Sequence, residues 1–318
     1  MTQETIGTVV RGDARVVHVE LDGSHESRQF ALRGKLFEKL DDNIRNPIAV
    51  GDRVRVSLDG DPPAVEEVLP RRNWLPRISS SHDPRHQILF ANVDQLFVVG
   101  SIQKPRFSSN RTDRILAACV YHEIPTGLIL NKVDLDKEGW AADIRETYEA
   151  AGTTVLETRA IDGELADLRE RLAGKISVLY GASGAGKSTI LNTLEPGLKL
   201  KTAKISKHWD AGRHTTTFSR MYRLAALDAH VIDTPGIRVF RIADVNKAEL
   251  RDCFPEFAPF QARCRFPDCS HDHEPGCEVF PAVERGELAP SRYASYVEIL
   301  DELAPPPPDD TPEPPPEG

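Results

Sequence analysis

The residues best equipped for chemistry are Gly181, Ala182, Ser183, Gly184, Ala185, Gly186, Lys187, Ser188 and Thr189, the run GASGAGKST. It satisfies G-x-x-x-x-G-K-[ST] and lies between a strand-like ISVLY and a helix-like TILNTL, the context in which this spacing binds phosphate. Glycines let backbone N–H groups close around phosphate oxygens, and the helix N-terminus adds positive potential. In that chemistry Lys187 contacts the β- and γ-phosphates and the Ser188 hydroxyl binds magnesium. Further on, VIDTPG supplies D-x-x-G from Asp233 to Gly236. Asp233 is expected to hold the magnesium, usually through water, and the Gly236 N–H to sense the γ-phosphate.

A third motif, Asn131, Lys132, Val133 and Asp134, directly follows the apolar run GLIL. The Asp134 carboxylate can accept two hydrogen bonds from guanine, from the ring N–H and the exocyclic amino group. Adenine offers neither, and leaving the carboxylate unpaired is costly, so discrimination is strong. Asn131 can bond the opposite edge of the base, and the Lys132 stem can lie along it. In ordinary G proteins N-K-x-D follows the phosphate loop; here it precedes it. A site is fixed by strand ends in space, and connectivity can be cut elsewhere without moving them. NKVD, ETRAIDG, the phosphate loop, Thr215 to Thr217 and DTPG are therefore the usual G-domain series rotated, a circular permutation.

Cys264, Cys269 and Cys277 fall within fourteen residues in CRFPDCSHDHEPGC, with His271 and His273 between them. In a chain expected to be cytosolic, that grouping argues for metal rather than disulfides. Three thiolates and one imidazole fill a tetrahedral zinc shell and leave no open position, so one structural zinc is expected, replacing a core this short segment cannot build. Cys119, within ILAACV, is expected in a core.

The elements that must position these groups have distinct rhythms. In VVHVEL and GDRVRVSLDG, apolar and polar residues alternate, and D-G pairs close each run. That is the pattern of a small antiparallel barrel, and an oligonucleotide-binding (OB) barrel fits the size, although pattern alone does not separate it from an SH3-like one. From about residue 92, short apolar runs alternate with helical stretches, which predicts a parallel α/β sheet with ligands at the carboxyl ends of its strands. After residue 243 comes a small cysteine- and aromatic-bearing segment, expected to be mostly helical. The tail APPPPDDTPEPPPEG is expected to be disordered. The organisation read is thus a barrel over 1–72, the permuted GTPase over 73–242, a zinc-binding domain over 243–303 and the tail over 304–318.

With 318 residues, 40% hydrophobic and 28% charged, and no apolar run near the ~20 residues that span a bilayer, a soluble cytoplasmic protein of several domains is expected, with no membrane partner. MTQETIGTVVRGD lacks the basic start and apolar core of a signal peptide. The net charge of −9 hides its distribution: residues 199–223 carry seven bases against one acid, a local cluster able to meet phosphates.

Taken together, the motifs ANVDQLFVV, NKVDL, GASGAGKSTILN, GRHTTT, DTPGIR and the cysteine segment, with RGK at Arg33 to Lys35, resemble the circularly permuted RsgA family of ribosome-small-subunit-dependent GTPases. The resemblance implies an N-terminal OB barrel, a permuted GTPase and a C-terminal zinc domain. It also implies action late in small-subunit assembly, with GTP hydrolysis stimulated by the subunit; GTP and GDP are the expected ligands, and a monomer is expected. The family pattern places the fourth zinc ligand at His271 rather than His273. Two positions depart from it: Thr158-Arg159 stands where the family usually has Ser-Ala, and Ala185 where valine is common. The first departure touches a role filled by a backbone N–H.

Many G proteins orient the attacking water with a glutamine just after D-x-x-G; here Ile237 stands there and can neither donate nor accept. His214, in the basic loop GRHTTT, is the candidate for that task, as the resemblance also suggests. One of Thr215, Thr216 or Thr217 is expected to close over magnesium, with Thr216 carried as the ligand. Arg71, Arg72, Arg77 and the 199–223 cluster are expected to meet ribosomal RNA. Two rival readings stand beside this one: a P-loop ATPase or kinase, which NKVD opposes, and a nucleic-acid-binding module with a vestigial nucleotide site, which intact Lys187, Ser188 and Asp233 oppose.

Overall fold

Alternation along the first strands sorts their side chains into two faces. Val17, Val19, Val54 and Val56 point inward and are at most 2% exposed, while His18, Arg53 and Arg55 face outward. The computed structural model describes residues 4–13, 15–38, 43–80, 83–202, 219–234 and 240–303. Within it, β1 (Glu4–Gly12), β2 (Val16–Leu21), β3 (Ser27–Leu32), β4 (Arg53–Ser57) and β5 (Ala64–Val68) form a ring, with one helical turn, α1 (Lys35–Glu38), between β3 and β4. Strand β1 pairs with both β2 and β4, β2 with β3, β3 with β5 in parallel, and β5 with β4. That order, closed by β1–β4, is the OB-like barrel, and it settles the choice the alternation pattern left open. Its core holds Val9, Val17, Val19, Phe30, Ile48, Val54, Val56 and Val65.

Residues 73–91, placed by the sequence reading at the start of the GTPase with no element assigned to them, form a hairpin of β6 (Trp74–Ser80) and β7 (Asp83–Ala91). Gly51 binds this hairpin to the barrel: a Cβ there would lie 2.0 Å from the Ala91 carbonyl oxygen. Next come β8 (Gln95–Ser101), α2 (Ser109–Tyr121), β9 (Thr126–Asn131), α3 (Trp140–Ala150), β10 (Thr154–Thr158), α4 (Ala166–Leu172), β11 (Ile176–Tyr180), α5 (Lys187–Leu194), β12 (Arg220–Leu224) and β13 (Ala229–Asp233). Strands β10, β9, β8, β11 and β13 run parallel in that order, and β12 flanks β13 antiparallel. A single pairing of Arg11 with Arg220 continues this sheet into the barrel.

The parallel strands are largely apolar on both faces because both faces are covered. Leu96, Val98, Leu128, Leu130, Val178 and Ile232 face α2, α3 and the cysteine segment, whereas Phe97, Val99, Ile129, Leu179 and Val231 face α4 and α5. The cysteine segment contributes α6 (Lys247–Leu250), α7 (Ala258–Gln261), α8 (Val279–Glu284) and α9 (Pro290–Glu302). Its aromatic core stacks Phe254 on Phe257, with Tyr296 edge-on to both. Among the described residues no helix is long and apolar enough to cross a membrane.

Candidate functional site

Strands β9, β10, β11 and β13 are parallel, so Asn131, Thr158, Tyr180 and Asp233 all end at one edge of the sheet, and the motifs follow there. Two glycines let the phosphate loop approach that edge. A Cβ at Gly181 would lie 2.3 Å from the Val99 carbonyl oxygen. Gly186, at φ +110°, is more constrained still: a Cβ there would lie 2.1 Å from Nδ2 of Asn131.

Asn131 is 2% exposed, and its amide joins three segments. Nδ2 donates to the Ala185 carbonyl at 3.0 Å, while Oδ1 accepts from Thr158 Oγ1 at 3.1 Å and from the Ala160 N–H at 3.3 Å. The sequence reading placed this amide on the edge of the base; within the protein Oδ1 and one Nδ2 hydrogen set the relative position of the loops, and the second Nδ2 hydrogen has no partner among the described residues. Lys132, held in the left-handed region at φ 62°, donates through Nζ to the Gly184 carbonyl at 2.7 Å and to that of Lys104. Burial lowers its pKa, with the Asp134 carboxylate opposing the shift. Asp134 is exposed and accepts no hydrogen bond from the described residues, so its oxygens remain available to a ligand. Arg159 turns its side chain away to Glu164, at 2.7 Å from Nε, leaving the backbone of Arg159 and Ala160 at the site. The contribution of Ala160 was not read from sequence, since alanine carries no chemical signal.

At the phosphate loop, Lys187 is buried and donates to the Gly181 carbonyl at 2.6 Å. Burial pulls its ammonium below the ordinary pKa, opposed by Asp233; burial raises the Asp233 carboxyl, opposed by Lys187. Oδ1 of Asp233 is buried and has no hydrogen-bond partner among the described residues, a state that suits a cation ligand. Ser188 and Thr189 are partly buried at the start of α5, and Ser183 is exposed at the loop's tip. His214, Thr215, Thr216, Thr217, Gly236 and Ile237 lie outside the described residues.

The cysteine segment brings Cys264, Cys269, His271 and Cys277 together, with their ligand atoms all within 4.8 Å of one another. Nδ1 of His271 lies 3.7 Å from the sulfurs of both Cys264 and Cys277. His273 points elsewhere, onto Asp272 at 3.0 Å and the Phe280 ring. The loop is fixed from behind: Tyr293 Oη donates to the His271 carbonyl at 2.8 Å, and Tyr296 Oη to that of Ser270. These four side chains can hold one tetrahedral metal ion.

The same segment is anchored to the nucleotide half by a buried cation. Arg292, 3% exposed, donates to Asp113 of α2 at 2.6 Å and to Glu256 at 2.7 Å, and Tyr148 of α3 donates to the same Asp113 oxygen at 2.8 Å.

A sequence model of the RsgA GTPase family matches residues 68–243. The small ribosomal subunit biogenesis GTPase RsgA of Bordetella pertussis is 42% identical over 303 residues, covering 94% of this chain and 96% of that one. Its counterpart in Bacteroides fragilis strain YCH46 is 38% identical over 81% of this chain and 84% of its own. The chain belongs to the RsgA GTPase family. Among solved structures of similar shape, YjeQ from Thermotoga maritima matches with a TM-score of 0.72 at 35% identity, covering 95% of this chain and 99% of that one. YloQ, described as a circularly permuted GTPase, matches with a TM-score of 0.65 at 27% identity, covering 95% of each.

Within this RsgA-family frame, two of the arginines expected to meet RNA also form ion pairs inside the protein. Arg71 is bound bidentately to the fully buried Asp52, at 2.7 Å to each oxygen, and Arg72 pairs with Asp94 at 2.6 Å. Both tie the linker after the barrel to its neighbours; their short partners are distant in sequence and invisible to local pattern. Arg77 differs, since among the described residues Nη2 donates to Gln87 at 3.0 Å and Nε has no hydrogen-bond partner. Of the basic cluster, Lys199, Lys201 and Arg220 are exposed, whereas Lys204, Lys207 and Arg213 lie outside the described residues.

Proposed function

We propose that this chain is a GTPase of small ribosomal subunit biogenesis, which converts GTP and water to GDP and phosphate when engaged on the subunit. The observation that carries the reading is the pair of bonds from Asn131 to Ala185 and from Lys132 to Gly184. They make one pocket of a guanine motif and a phosphate loop that follows it in the chain. In that pocket Asp134 accepts from the two guanine donors, the backbone near Arg159 and Ala160 meets the opposite edge, and the Lys132 stem supports the base. The Lys187 ammonium leaves the Gly181 carbonyl for the β- and γ-phosphates, and the glycine-loop N–H groups close on the same oxygens. Ser188, Asp233 and Thr216 would hold magnesium, which supplies charge neutralisation across the β- and γ-phosphates. His214 orients the attacking water, and the Gly236 N–H reads the γ-phosphate.

The Cys3His cluster takes one structural zinc. Cys264, Cys269, His271 and Cys277 would hold the ion, which would cross-link the segment; the 3.7 Å approaches of His271 Nδ1 to two of the sulfurs and the 4.8 Å limit on the whole set support one shared ion. The barrel (1–72) and the zinc segment (243–303) supply ribosomal RNA contacts around the GTPase (73–242), and the protein works as a cytoplasmic monomer.

The deciding experiment measures GTP turnover by the full chain alone, with purified small subunits and with large subunits. Stimulation by small subunits only is expected. Equal rates in all three conditions, or no hydrolysis in any, would overturn the reading.

A further inference from the structure

A cavity of about 620 Å³ opens beside the phosphate loop, outside the guanine and magnesium positions just described. Gly181 and Ala182 form part of one wall, and Leu303, the residue after α9, forms part of another. Its apolar surface includes Phe107, Tyr180 and Phe240, and its charged lining includes Arg106, Arg111 and Arg241. None of these three arginines has an acidic partner among the described residues. The acids nearby are already engaged: Glu298 accepts from Asn110 at 2.6 Å and Glu302 from Arg114 at 2.6 Å. A partly aromatic hollow whose three guanidinium groups have no acidic partner among the described residues, with Arg106 lying 4.4 Å over the Trp140 ring, fits a ligand that is both apolar and anionic.

The chain carries such a ligand immediately after Leu303. Residues 304–318 hold eight prolines, four acids (Asp309, Asp310, Glu313 and Glu317) and no base. Proline-rich segments dock on aromatic-lined grooves because their extended conformation is largely preset and little entropy is lost on binding. Carboxylates pair well with guanidinium forks. Reach is sufficient: six residues from Leu303 to Asp309 extend ~19 Å at about 3.1 Å each, and a rounded space of this volume is only about 10 Å across.

We infer that the acidic proline-rich tail is an intramolecular ligand of this cavity, its prolines on the Phe107, Tyr180 and Phe240 surface and its carboxylates on Arg106, Arg111 and Arg241. Docked there, it lies against the phosphate loop and latches α9 to the nucleotide half of the molecule.

The test uses full-length chains and a fluorescently labelled synthetic peptide of residues 304–318, read by anisotropy without nucleotide, so it does not depend on GTP hydrolysis. The chain carrying Asp309→Lys and Asp310→Lys, whose own tail is released, is expected to bind the peptide. The unaltered chain is expected to bind it at least about tenfold more weakly, because the tethered copy competes at high effective concentration. Adding Arg111→Glu and Arg241→Glu to the first variant should abolish binding, with circular dichroism confirming that the fold is kept. No binding to the first variant, equal binding to both chains, or binding that survives the arginine reversal would each overturn the inference. A chain that binds the peptide as expected yet fails to hydrolyse GTP would sink only the functional reading above.

Discussion

Nδ2 of Asn131 donates to the Ala185 carbonyl at 3.0 Å and lies 2.1 Å from where a Gly186 Cβ would stand. The guanine motif and the phosphate loop are thus keyed to each other by one buried amide and one missing side chain. Asn131→Ala leaves the Ala160 N–H and the Ala185 carbonyl without partners, a cost of about 1–3 kcal/mol for each buried group. Because Asn131 aligns both halves of the pocket, GDP and GTP affinities should fall together, while the preference for guanine over adenine is kept through Asp134. Fluorescent-nucleotide titration reads both. Loss of base preference with affinity intact would contradict the alignment role.

Asp134 is the group on which base choice rests, being exposed and accepting no hydrogen bond from the described residues. Asp134→Asn replaces one acceptor by a donor, which mismatches the guanine amino group but matches the 2-oxo group of xanthine. The variant should lose affinity for GTP by roughly 100-fold and gain it for XTP, as expected when a buried polar contact is left unpaired. Competition between the two nucleotides measures it directly, and an unaltered preference would remove the pocket as described.

Local signals in the sequence were enough to find NKVD, GASGAGKST and the three clustered cysteines, because each needs fixed residue types at fixed spacing; the choice of His271 over His273 needed the family resemblance. The barrel strands were legible from alternation, as in Val54 and Val56, but their ring order was not, since it depends on the parallel pairing of β3 with β5. The hairpin of β6 and β7 was missed because its apolar residues alternate poorly and bulges break its register. Arg71 and Arg72 read only as bases able to meet RNA, and their ion-pair partners Asp52 and Asp94 gave no local signal because they lie about twenty residues away in the chain. The Asp113–Arg292 pair, separated by 179 residues, had no sequence signal at all.

That pair yields a stability prediction. Asp113 is fully buried and Arg292 3% exposed, so Arg292→Met leaves the Asp113 and Glu256 carboxylates without their cation. Breaking a buried pair from one side costs about 3–5 kcal/mol, whereas removing both charges is often near neutral. Urea unfolding should show Arg292→Met strongly destabilised, and Asp113→Asn should recover part of the loss when combined with it. Equal destabilisation by the double variant would mean that the attraction to Asp113 is not what the single change removes.

Acid sensitivity follows from three histidines that share one cause. Burial holds the imidazoles of His122, His230 and His271 below their ordinary pKa of 6.5. Between that ordinary value and the lower folded one, the unfolded chain takes up protons that the folded chain refuses, so stability present above pH 6.5 is lost as the pH falls. Metal binding by His271 adds to the same trend, because the proton and the metal compete for one nitrogen. Denaturation midpoints measured with the metal in place should therefore fall between pH 7.5 and 5.5. His122→Gln, which removes a non-ligand histidine from the count, should reduce that slope by at most one proton and leave one metal ion per chain. A midpoint that holds steady or rises over this range would show that these imidazoles charge in the folded protein as readily as in the unfolded chain.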